Sequence, residues 1–490
     1  MNSPMIRTIM GHIMRIEAAF MLLPCIVALI YGEKEGYIYL CVAIGTFILG
    51  FLLCIKKPVD TQMYLKEGCV ATALSWLVLS FFGCLPFYFT GEFPSFIDAL
   101  FETISGFTTT GASVLSDVEV LSHATIFWRS FTHWIGGMGV LVFMLAIVPL
   151  SGGSTINLMK AESPGPSVGK LVPKIKSSAS ALYIIYAVLT LVQIIFMIAG
   201  GCPVFDAITL SIGTAGTGGF GIKNDSLASY SPYIQWVVTI FMILFGVNFN
   251  AYYFIALGKI KEALHIEEVK YYFFVILSAA TIIFCNIFKL YDKPSESIRH
   301  AMFQVASIIT TSGFSTTDFD KWNCMCKVVI VMLMFIGACA GSTGGGIKVS
   351  RFVVLFRTIK KEMNSYIHPK SVKKVMFEGK PAEHEMIRSI NVYISTYVLL
   401  FALSLLLFSL NGLDFETSFT SVVTAINNIG PGLNLTGPTC NFGFLTPLSK
   451  IVLMFDMLAG RLELFPLLIL LTPRVLKDLC TSSIRNLRRK

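Results

Sequence analysis

Charged side chains are scarce in this sequence. Asp, Glu, Lys and Arg make up 14% of the 490 residues, whereas a soluble domain carries about 25%. Apolar residues (Ala, Val, Ile, Leu, Met, Phe, Trp, Tyr and Cys) make up 54%, and the mean hydropathy is +0.72. Too few polar side chains remain to cover an aqueous surface. The composition therefore excludes a soluble multidomain protein and predicts a membrane protein with several spans.

Motifs for metal binding and catalysis are also missing. The 12 cysteines are scattered, and the one CxC pair, Cys324 and Cys326, has no second pair or histidine to complete a metal site. His368 and His384 have no metal-binding spacing. No HExxH, GxSxG or paired-acid motif occurs, so we predict that the protein is not an enzyme. We expect the cysteines to serve as small apolar side chains within helices. A disulfide on the extracytoplasmic side, among Cys202, Cys324, Cys326 and Cys440, is the alternative.

Apolar runs of the roughly 20 residues needed to cross a membrane recur along the chain. We predict about ten spans, near residues 13–31, 37–55, 68–90, 124–150, 179–200, 231–257, 271–290, 326–355, 387–410 and 447–472. The first run lacks a small-residue cleavage site, which favours a span over a signal peptide. Four shorter apolar segments run into glycine-rich sequence and predict half-length, re-entrant helices near 95–107, 203–214, 297–309 and 414–426.

Basic residues indicate the orientation. If the N-terminus is cytoplasmic, most of the 38 Lys and Arg residues lie on the cytoplasmic side, including the loop Lys348 to Arg388 and the tail Arg488-Arg489-Lys490. The outer loops are short and often acidic. The positive-inside rule therefore predicts that both termini are cytoplasmic. It also explains the net charge of +9 without a nucleic-acid partner.

After residue 66 one order of segments occurs four times: span, half-length helix, glycine loop, span. The loops read GFTTTGAS, TAGTGGFG, IITTSGFS and AINNIGPG. Aligning them places four glycines at one equivalent position: Gly111, Gly219, Gly313 and Gly430. In the second loop Gly218 is the alternative, and we favour Gly219 because Phe220 then matches Phe314.

The predicted fold class is an all-α polytopic membrane protein. Four tandem span–pore-loop–span repeats would surround one pseudo-fourfold pore, after an N-terminal two-helix hairpin. The predicted domains are the hairpin (1–58), pore repeat 1 (59–160), pore repeat 2 (161–262), pore repeat 3 with an intramembrane gating loop (263–380), and pore repeat 4 with a basic C-terminal tail (381–490).

Four glycine loops on one axis can form a cation site. Glycine permits backbone angles that other residues resist, so that carbonyl oxygens can point to the axis and replace the hydration shell of a cation. Adjacent polar side chains can brace the loops: Thr110, Thr217, Ser312 and Asn428. No carboxylate lines the loops, so selectivity would come from dipoles, which favours a weakly hydrated monovalent cation such as K+.

These loops, and motifs along the whole chain, resemble the Trk/Ktr/HKT superfamily of potassium transporters, of the TrkH type. The strings include HWIGGMGVLVF (133–143), ACAGSTGGGIKVSRF (338–352) and LAGRLELFP (458–466). The resemblance implies K+ as the transported substrate, with Rb+ also passing, and no organic cofactor. It implies a homodimer in the bacterial inner membrane, in contact with lipids, with one pore per subunit. A cytosolic TrkA-type ring that binds nucleotides (ATP/ADP or NAD(H)) would gate the pore.

The resemblance also implies roles for individual residues. The K+ filter would comprise Thr109, Thr110, Gly111, Thr217, Gly218, Gly219, Thr311, Ser312, Gly313, Asn428, Ile429 and Gly430. A gating loop beneath it would comprise Gly341, Ser342, Thr343, Gly344, Gly345 and Gly346. A packing kink is the alternative. The loop resembles a Walker A motif only weakly, because Ile347 separates its last glycine from Lys348.

Arg461 lies near the middle of the last predicted span, where a cation normally faces protein or water. We expect it to raise the barrier to K+ below the filter. The alternative is a structural salt bridge with Asp456 or Glu463. Three further polar residues are expected to support the filter or cavity from behind: Glu102, Asn248 and Asn250. His133 and Trp134 are expected to pack against the first half-length helix.

A Na+- or H+-coupled K+ symporter is the alternative function. Secondary transporters commonly show paired inverted repeats and binding sites at the middle of the membrane. The four repeats here have one direction, and their glycine loops contain no acid. The sequence therefore favours a channel-like pore, while coupling to a second ion stays open.

Overall fold

The computed structural model describes residues 1–139, 175–370 and 373–478, apart from 57, 59 and 61. Regular structure in this part of the chain is helical except for a two-stranded antiparallel ribbon of Met376–Phe377 and Lys380–Pro381, which we call the cytosolic ribbon after the predicted orientation. The prediction of a helical protein with several spans is confirmed.

Six helices among the described residues are long and apolar enough to cross a membrane, or seven if one bent pair counts as a span. The first spans Ser3–Tyr31 and consists of two consecutive helices, Ser3–Phe20 and Leu22–Tyr31. The others are Glu35–Cys54, Leu65–Phe89, Ile175–Ala199, Glu267–Ile287 and His384–Phe408. Large apolar side chains on these helices, such as Leu399 and Phe274, are exposed as expected for a surface that faces lipid.

The first two spans pack as a hairpin through two facing glycines. A Cβ on Gly11 would lie 2.7 Å from the Gly50 oxygen, and a Cβ on Gly50 would lie 2.8 Å from the Gly11 oxygen. Small residues, above all glycine, allow helix backbones to approach this closely. The hairpin shares a buried apolar cluster with Leu65–Phe89, so it packs against the rest of the protein.

Four short helices, which we call half-helices 1 to 4, occur where the sequence predicts them. They are Phe96–Phe107, Val204–Gly216, Pro294–Ile309 and Phe415–Asn427. Local signals start them: Ser95 caps half-helix 1 and Asp414 caps half-helix 4, each accepting a bond from a backbone N–H three residues on. The Thr417 N–H holds the pKa of the Asp414 carboxyl below its usual range.

A second set of helices, which we call inner helices 1 to 4, follows the glycine loops. They are His123–Gly137, Pro232–Phe245, Cys324–Ile336 and Pro447–Arg461. The predicted spans 231–257, 326–355 and 447–472 are interrupted, because these helices stop after 13 to 15 residues. The consecutive glycines of the predicted gating loop indicated the interruption in 326–355, whereas the interruptions in the other two ranges were not expected. Inner helix 1 stops at Gly137, and residues 140–150 of the predicted span 124–150 lie outside the described residues.

Inner helices 1 and 4 stop where they pass the ends of half-helices. A Cβ on Gly136 would overlap the Phe107 oxygen, and a Cβ on Gly460 would overlap the Ile426 oxygen. The chain then turns: Phe249–Ala256 continues inner helix 2 at an angle of 89°. Inner helix 3 resumes after an irregular stretch as Val349–Ile367, and inner helix 4 as Phe465–Leu470.

The remaining elements described are short, and the cysteines that the structure describes are unpaired. A helix spans Ile260–Leu264, and 3-10 turns span Phe319–Lys321, Ser409–Asn411 and Asn434–Thr436. Among the described residues the four cysteines considered for a disulfide are all free. The domain boundaries stay predictions, and the basic tail Arg488-Arg489-Lys490 lies outside the described residues.

Candidate functional site: a ring of glycine loops above a buried loop

The four glycine loops share one backbone conformation. The shared glycine has a positive φ in every loop, between 77° and 98°, at Gly111, Gly219, Gly313 and Gly430. The residue two positions earlier is left-handed as well, with φ between 55° and 59°, at Thr109, Thr217, Thr311 and Asn428. Three of these are β-branched threonines, for which a positive φ is a genuine outlier. Such strain persists only where the surrounding structure enforces it, and it is typical of functional sites.

A shared hydrogen bond aligns the loops. In each, the N–H just before the shared glycine donates to the carbonyl five residues earlier, at 2.8 to 3.0 Å. The pairs are Thr110 with Ser105, Gly218 with Gly213, Ser312 with Ser307, and Ile429 with Thr424. In the second loop Gly219 therefore occupies the position equivalent to Gly313, and Gly218 corresponds to Ser312.

The loops touch each other in a closed ring. A Cβ on Gly111 would overlap the Gly218 oxygen, and Cβ atoms on Gly219 and Gly313 would overlap the oxygens of Ser312 and Ile429. A Cβ on Gly430 would lie 2.7 Å from the Thr110 oxygen, which closes the ring. Each shared glycine therefore lies beside a carbonyl oxygen of the next loop. All four also line one cavity of about 130 Å³, on the outer side in the predicted orientation.

His133 connects the first two loops. Phe220 N–H donates to Nε2 at 3.3 Å, so the proton is on Nδ1, which donates to the Gly106 oxygen at 2.7 Å. The His133 imidazole also lies against Gly218, where an added Cβ would overlap the imidazole. His133 packs against half-helix 1 as expected, whereas Trp134 stacks on Tyr186 and donates to Thr190 Oγ1 of the helix Ile175–Ala199. The sequence contained no signal for the bond between His133 and the second loop.

Asn428 connects the fourth loop to the first. Its Nδ2 donates to Thr110 Oγ1 at 3.0 Å and to the Met457 oxygen of inner helix 4 at 2.9 Å. Hydroxyl pairs add further support in two loops, Thr108 with Thr110 and Thr310 with Ser312, each at 2.9 Å. Three of the four expected side chains, Thr110, Ser312 and Asn428, thus brace the loops, whereas the Thr217 hydroxyl donates to the adjacent Gly216 oxygen.

Glu102 supports the segment that follows the first loop. Its carboxylate accepts from Ser113 Oγ at 2.9 Å and Val114 N at 3.0 Å, and it pairs with Arg129 at 2.6 Å. The Arg129 guanidinium also lies over the Phe220 ring, 4.2 Å from its centroid. A supporting role was predicted for Glu102 but not for Arg129, although a charged residue inside an apolar helix is itself a signal.

Residues 337–348, which we call the intramembrane loop, lie directly against the ring. Gly345 N–H donates to Thr311 Oγ1 at 2.6 Å. A Cβ on Gly344 would lie 2.9 Å from the Thr310 oxygen, and one on Gly345 would lie 2.6 Å from the Asn427 oxygen. Thr343, Gly344 and Gly345 are buried. The segment therefore contacts the third and fourth loops at the ends of their half-helices.

The break in inner helix 2 also holds the intramembrane loop. Cys339 N–H donates to the Gly246 oxygen at 3.1 Å, and Phe249 N–H donates to the Gly341 oxygen at 2.9 Å. Thr343 Oγ1 donates to the Phe245 oxygen at 3.2 Å. Asn248 caps the helix that follows by accepting from Asn250 N at 2.9 Å. The expected supports Asn248 and Asn250 thus lie at the break beside this loop.

Arg461 joins the intramembrane loop to inner helix 1. Its Nη1 donates to the Thr343 oxygen at 2.9 Å, and its Nη2 donates to the Gly137 oxygen at 2.8 Å and to the Gly136 oxygen. Lys348 Nζ donates to two further carbonyls of the loop, those of Gly344 and Gly345. Two positively charged side chains, Arg461 and Lys348, therefore donate hydrogen bonds to the peptide oxygens of the intramembrane loop.

The two carboxylates considered as partners of Arg461 have other contacts. Asp456 accepts from Ser404 Oγ at 2.6 Å, and Glu463 pairs with Arg351. The Arg351 guanidinium also lies 3.9 Å from the centroid of the Tyr393 ring. The Arg461 guanidinium instead donates to peptide oxygens of the intramembrane loop and of inner helix 1.

Comparison with known proteins bears on the whole chain. The family described as TrkH, cation transport protein, matches residues 41–475. The chain is 33% identical to "Trk system potassium uptake protein TrkH" of Salmonella typhimurium and of Escherichia coli, over 477 residues that cover 96% of this chain and 98% of each relative. It is 31% identical to the potassium transporter TrkH from Vibrio parahaemolyticus, whose crystal structure matches with a TM-score of 0.87 over 97% of this chain and 100% of that one.

Proposed function

The chain belongs to the TrkH family of cation transport proteins, and on that basis we propose that it takes up K+ across a bacterial inner membrane through a gated, channel-like pore. The names of its relatives support K+ as the transported substrate. The cargo crosses without covalent chemistry, so the protein would not act as an enzyme, and no organic cofactor is needed.

The closed ring of glycine loops is the observation that carries this proposal. Each shared glycine lies beside a carbonyl oxygen of the next loop, so the ring brings together peptide oxygens, the groups that replace the hydration shell of K+ in selectivity filters. We propose that these loops are the K+ filter, with the residues 109–111, 217–219, 311–313 and 428–430. Rb+ would also pass, because a site that replaces the hydration shell of K+ suits a cation of similar size and charge.

We propose that the intramembrane loop and Arg461 form the gate. The intramembrane loop contacts the filter residue Thr311, and also Asn427, which precedes the fourth filter segment. The guanidinium adds positive charge beside this loop. Opening would require the loop to leave Thr311 and Arg461 to release Thr343. A cation entering along a negative-inside voltage gains about 2.3 kcal/mol per 100 mV, so an open pore needs no second ion to drive uptake.

Two partners belong to the same proposal: a second copy of the chain, as a homodimer, and a cytosolic TrkA-type ring that binds nucleotides. The word "system" in the names of the relatives supports an assembly of several components. The basic cytosolic segments between Lys348 and Arg388 would supply the surface to which the TrkA-type ring binds.

Currents across a planar bilayer under voltage clamp test the function. The purified protein is studied with K+, Rb+ or Na+ as the only permeant cation, and Arg461→Ala is recorded beside it in case the gate limits the current. We expect current that follows voltage alone and is larger for K+ and Rb+ than for Na+. Current only when a Na+ or pH gradient is imposed would favour the symporter, and no cation current in either protein would contradict the proposal.

A further inference from the structure

Two adjacent carboxylates in the first turn of the helix Glu267–Ile287 hold different parts of the molecule. The Glu268 side chain is buried, and its Oε1 accepts from Ala340 N at 2.7 Å and from Ser350 N at 3.0 Å. Asn248 Nδ2 lies 3.5 Å from the other oxygen. Ala340 lies in the intramembrane loop and Ser350 lies just after it, so one carboxylate holds both sides of this segment.

The two sides of the intramembrane loop are in direct contact at that point. A Cβ on Gly337 would lie 2.6 Å from the Gly345 oxygen, and one on Gly346 would lie 2.8 Å from the Gly337 Cα. Val349 N–H also donates to the Ala338 oxygen at 3.1 Å. Glu268 therefore lies across the narrow base of the loop. Its bonds to backbone N–H groups are charge-assisted and stronger than neutral ones.

The preceding residue, Glu267, points to the cytosolic elements. Its Oε2 accepts from Arg357 Nη1 at 2.8 Å and from Glu378 N at 3.1 Å. Arg357 also donates to the Met376 oxygen at 2.6 Å. Glu267 thus ties the cytosolic ribbon and the helix Val349–Ile367 to the same helical turn that carries Glu268.

These bonds join two helices at two heights. Ser350 and Arg357 are seven residues apart on the helix Val349–Ile367, about 10 Å along its axis, and each is bonded to one of the adjacent carboxylates. A helix is rigid over this distance. A displacement of the ribbon that pulls on Arg357 or Glu267 therefore also moves the bonds at the base of the intramembrane loop.

We propose that Glu267 and Glu268 couple the cytosolic ribbon to the intramembrane loop. Glu268 is the positioning residue that keeps the loop closed, and Glu267 is the residue through which motion of the ribbon reaches it. This inference rests on the proposed role of the loop as the gate. The coupling requires that the base of the loop can adopt a second arrangement, whose population the ribbon would change through Glu267.

Hydrogen exchange of the full-length protein in nanodiscs, together with Rb+ flux into proteoliposomes, tests the coupling. Glu268→Gln removes one charge-assisted acceptor, and we expect exchange in residues 338–350 and Rb+ flux each to rise about tenfold. Glu267→Gln and Arg357→Gln leave the buried carboxylate intact. Both should speed exchange in the ribbon and, through the shared turn, in the loop as well.

The matched control is Glu262→Gln, which removes an exposed carboxylate on the neighbouring helix that pairs with Lys259. It should change neither signal. Faster exchange in the ribbon of Glu267→Gln with the loop unchanged would overturn the coupling, and an unchanged loop in Glu268→Gln would overturn the role of Glu268. If the wild type and Arg461→Ala both carry no Rb+, the proposed function fails while the exchange data still decide the coupling.

Discussion

The shared position of each glycine loop meets two separate constraints at a single residue. Gly313 has φ +77°, and a Cβ there would overlap the Ile429 oxygen of the next loop. The first constraint alone is common, because Gly91 has φ +76° with open space around its Cβ position. The second arises only from the ring, so a pair of alanine substitutions separates torsion from ring geometry.

Gly313→Ala is expected to lower K+ uptake and to reduce the preference for K+ over Na+, because the new methyl group displaces a filter carbonyl. Gly91→Ala has the same torsional strain, of about 1–2 kcal/mol, and should keep wild-type selectivity. The measurement is the ratio of Rb+ to Na+ uptake into proteoliposomes for both variants. Equal ratios in the two variants would contradict a filter at Gly313.

Arg461→Ala is expected to raise cation flux, because it removes both the hydrogen bonds to the intramembrane loop and the positive charge beside it. Each lost bond to a charged group is worth about 1.5–3 kcal/mol, so the increase should be about tenfold or more. Arg461→Lys keeps the charge and should stay closer to the wild type. Arg474→Ala, at an exposed position, is the control. If the fluxes of Arg461→Ala and Arg474→Ala were equal, Arg461 would not be part of the gate.

At the scale of elements, glycine sets how closely helices approach. Inner helices 1 and 4 carry Gly136 and Gly460 where they pass half-helix carbonyls, and the N-terminal hairpin has Gly11 against Gly50. Gly45 lies on the same hairpin helix as Gly50 but has no neighbour within 4 Å of its Cβ position. The hairpin therefore contains its own comparison between a packed and an unpacked glycine.

Gly50→Leu is expected to force the hairpin helices apart and destabilise the protein, since overpacking costs about 1–3 kcal/mol. Gly45→Leu should have little effect, because its side chain extends into open space that lipid occupies. The temperature at which half of the detergent-solubilised protein aggregates measures both. A loss of stability of the same size in the two variants would show that the Gly11–Gly50 contact does not hold the hairpin.

At the scale of the whole molecule, the distribution of basic residues predicts the orientation, and the native cysteines can report it. Cys324 and Cys440 are exposed on the side predicted to face outward. Cys202 lies on the same side, but burial raises the pKa of its thiol to about 11, which keeps it protonated and unreactive near neutral pH. Ser365 is exposed on the side predicted to face the cytosol.

A membrane-impermeant maleimide added to intact cells is therefore expected to label Cys324 and Cys440 and to leave Cys202 unlabelled. Mass spectrometry of the isolated protein identifies the labelled sites. Ser365→Cys is the control, and it should react only after the cells are made permeable. Labelling of Ser365→Cys in intact cells would show that the orientation is the opposite of the predicted one.

Short-range features could be predicted from the sequence. The half-helices begin and end within a few residues of their predicted bounds, because apolar length, a capping residue such as Asp414 and the glycines that end them are local signals. The shared glycines were found for the same reason, since a positive φ leaves a mark on residue type. The register of the second loop, favoured at Gly219 from the Phe220 match, agrees with the backbone geometry.

Contacts between distant residues could not be predicted. Inner helices 1 and 4 were predicted as parts of apolar spans, and composition does not reveal that they stop where a half-helix carbonyl meets Gly136 or Gly460. Residues such as His133 and Glu268 act through backbone groups 27 to 87 residues away, and any sequence can supply a backbone group. Composition and local pattern thus determined that this is a helical membrane protein with four glycine loops. Only the tertiary structure decided which carbonyls those loops meet and what lies beneath them, because those contacts depend on where the chain returns in space.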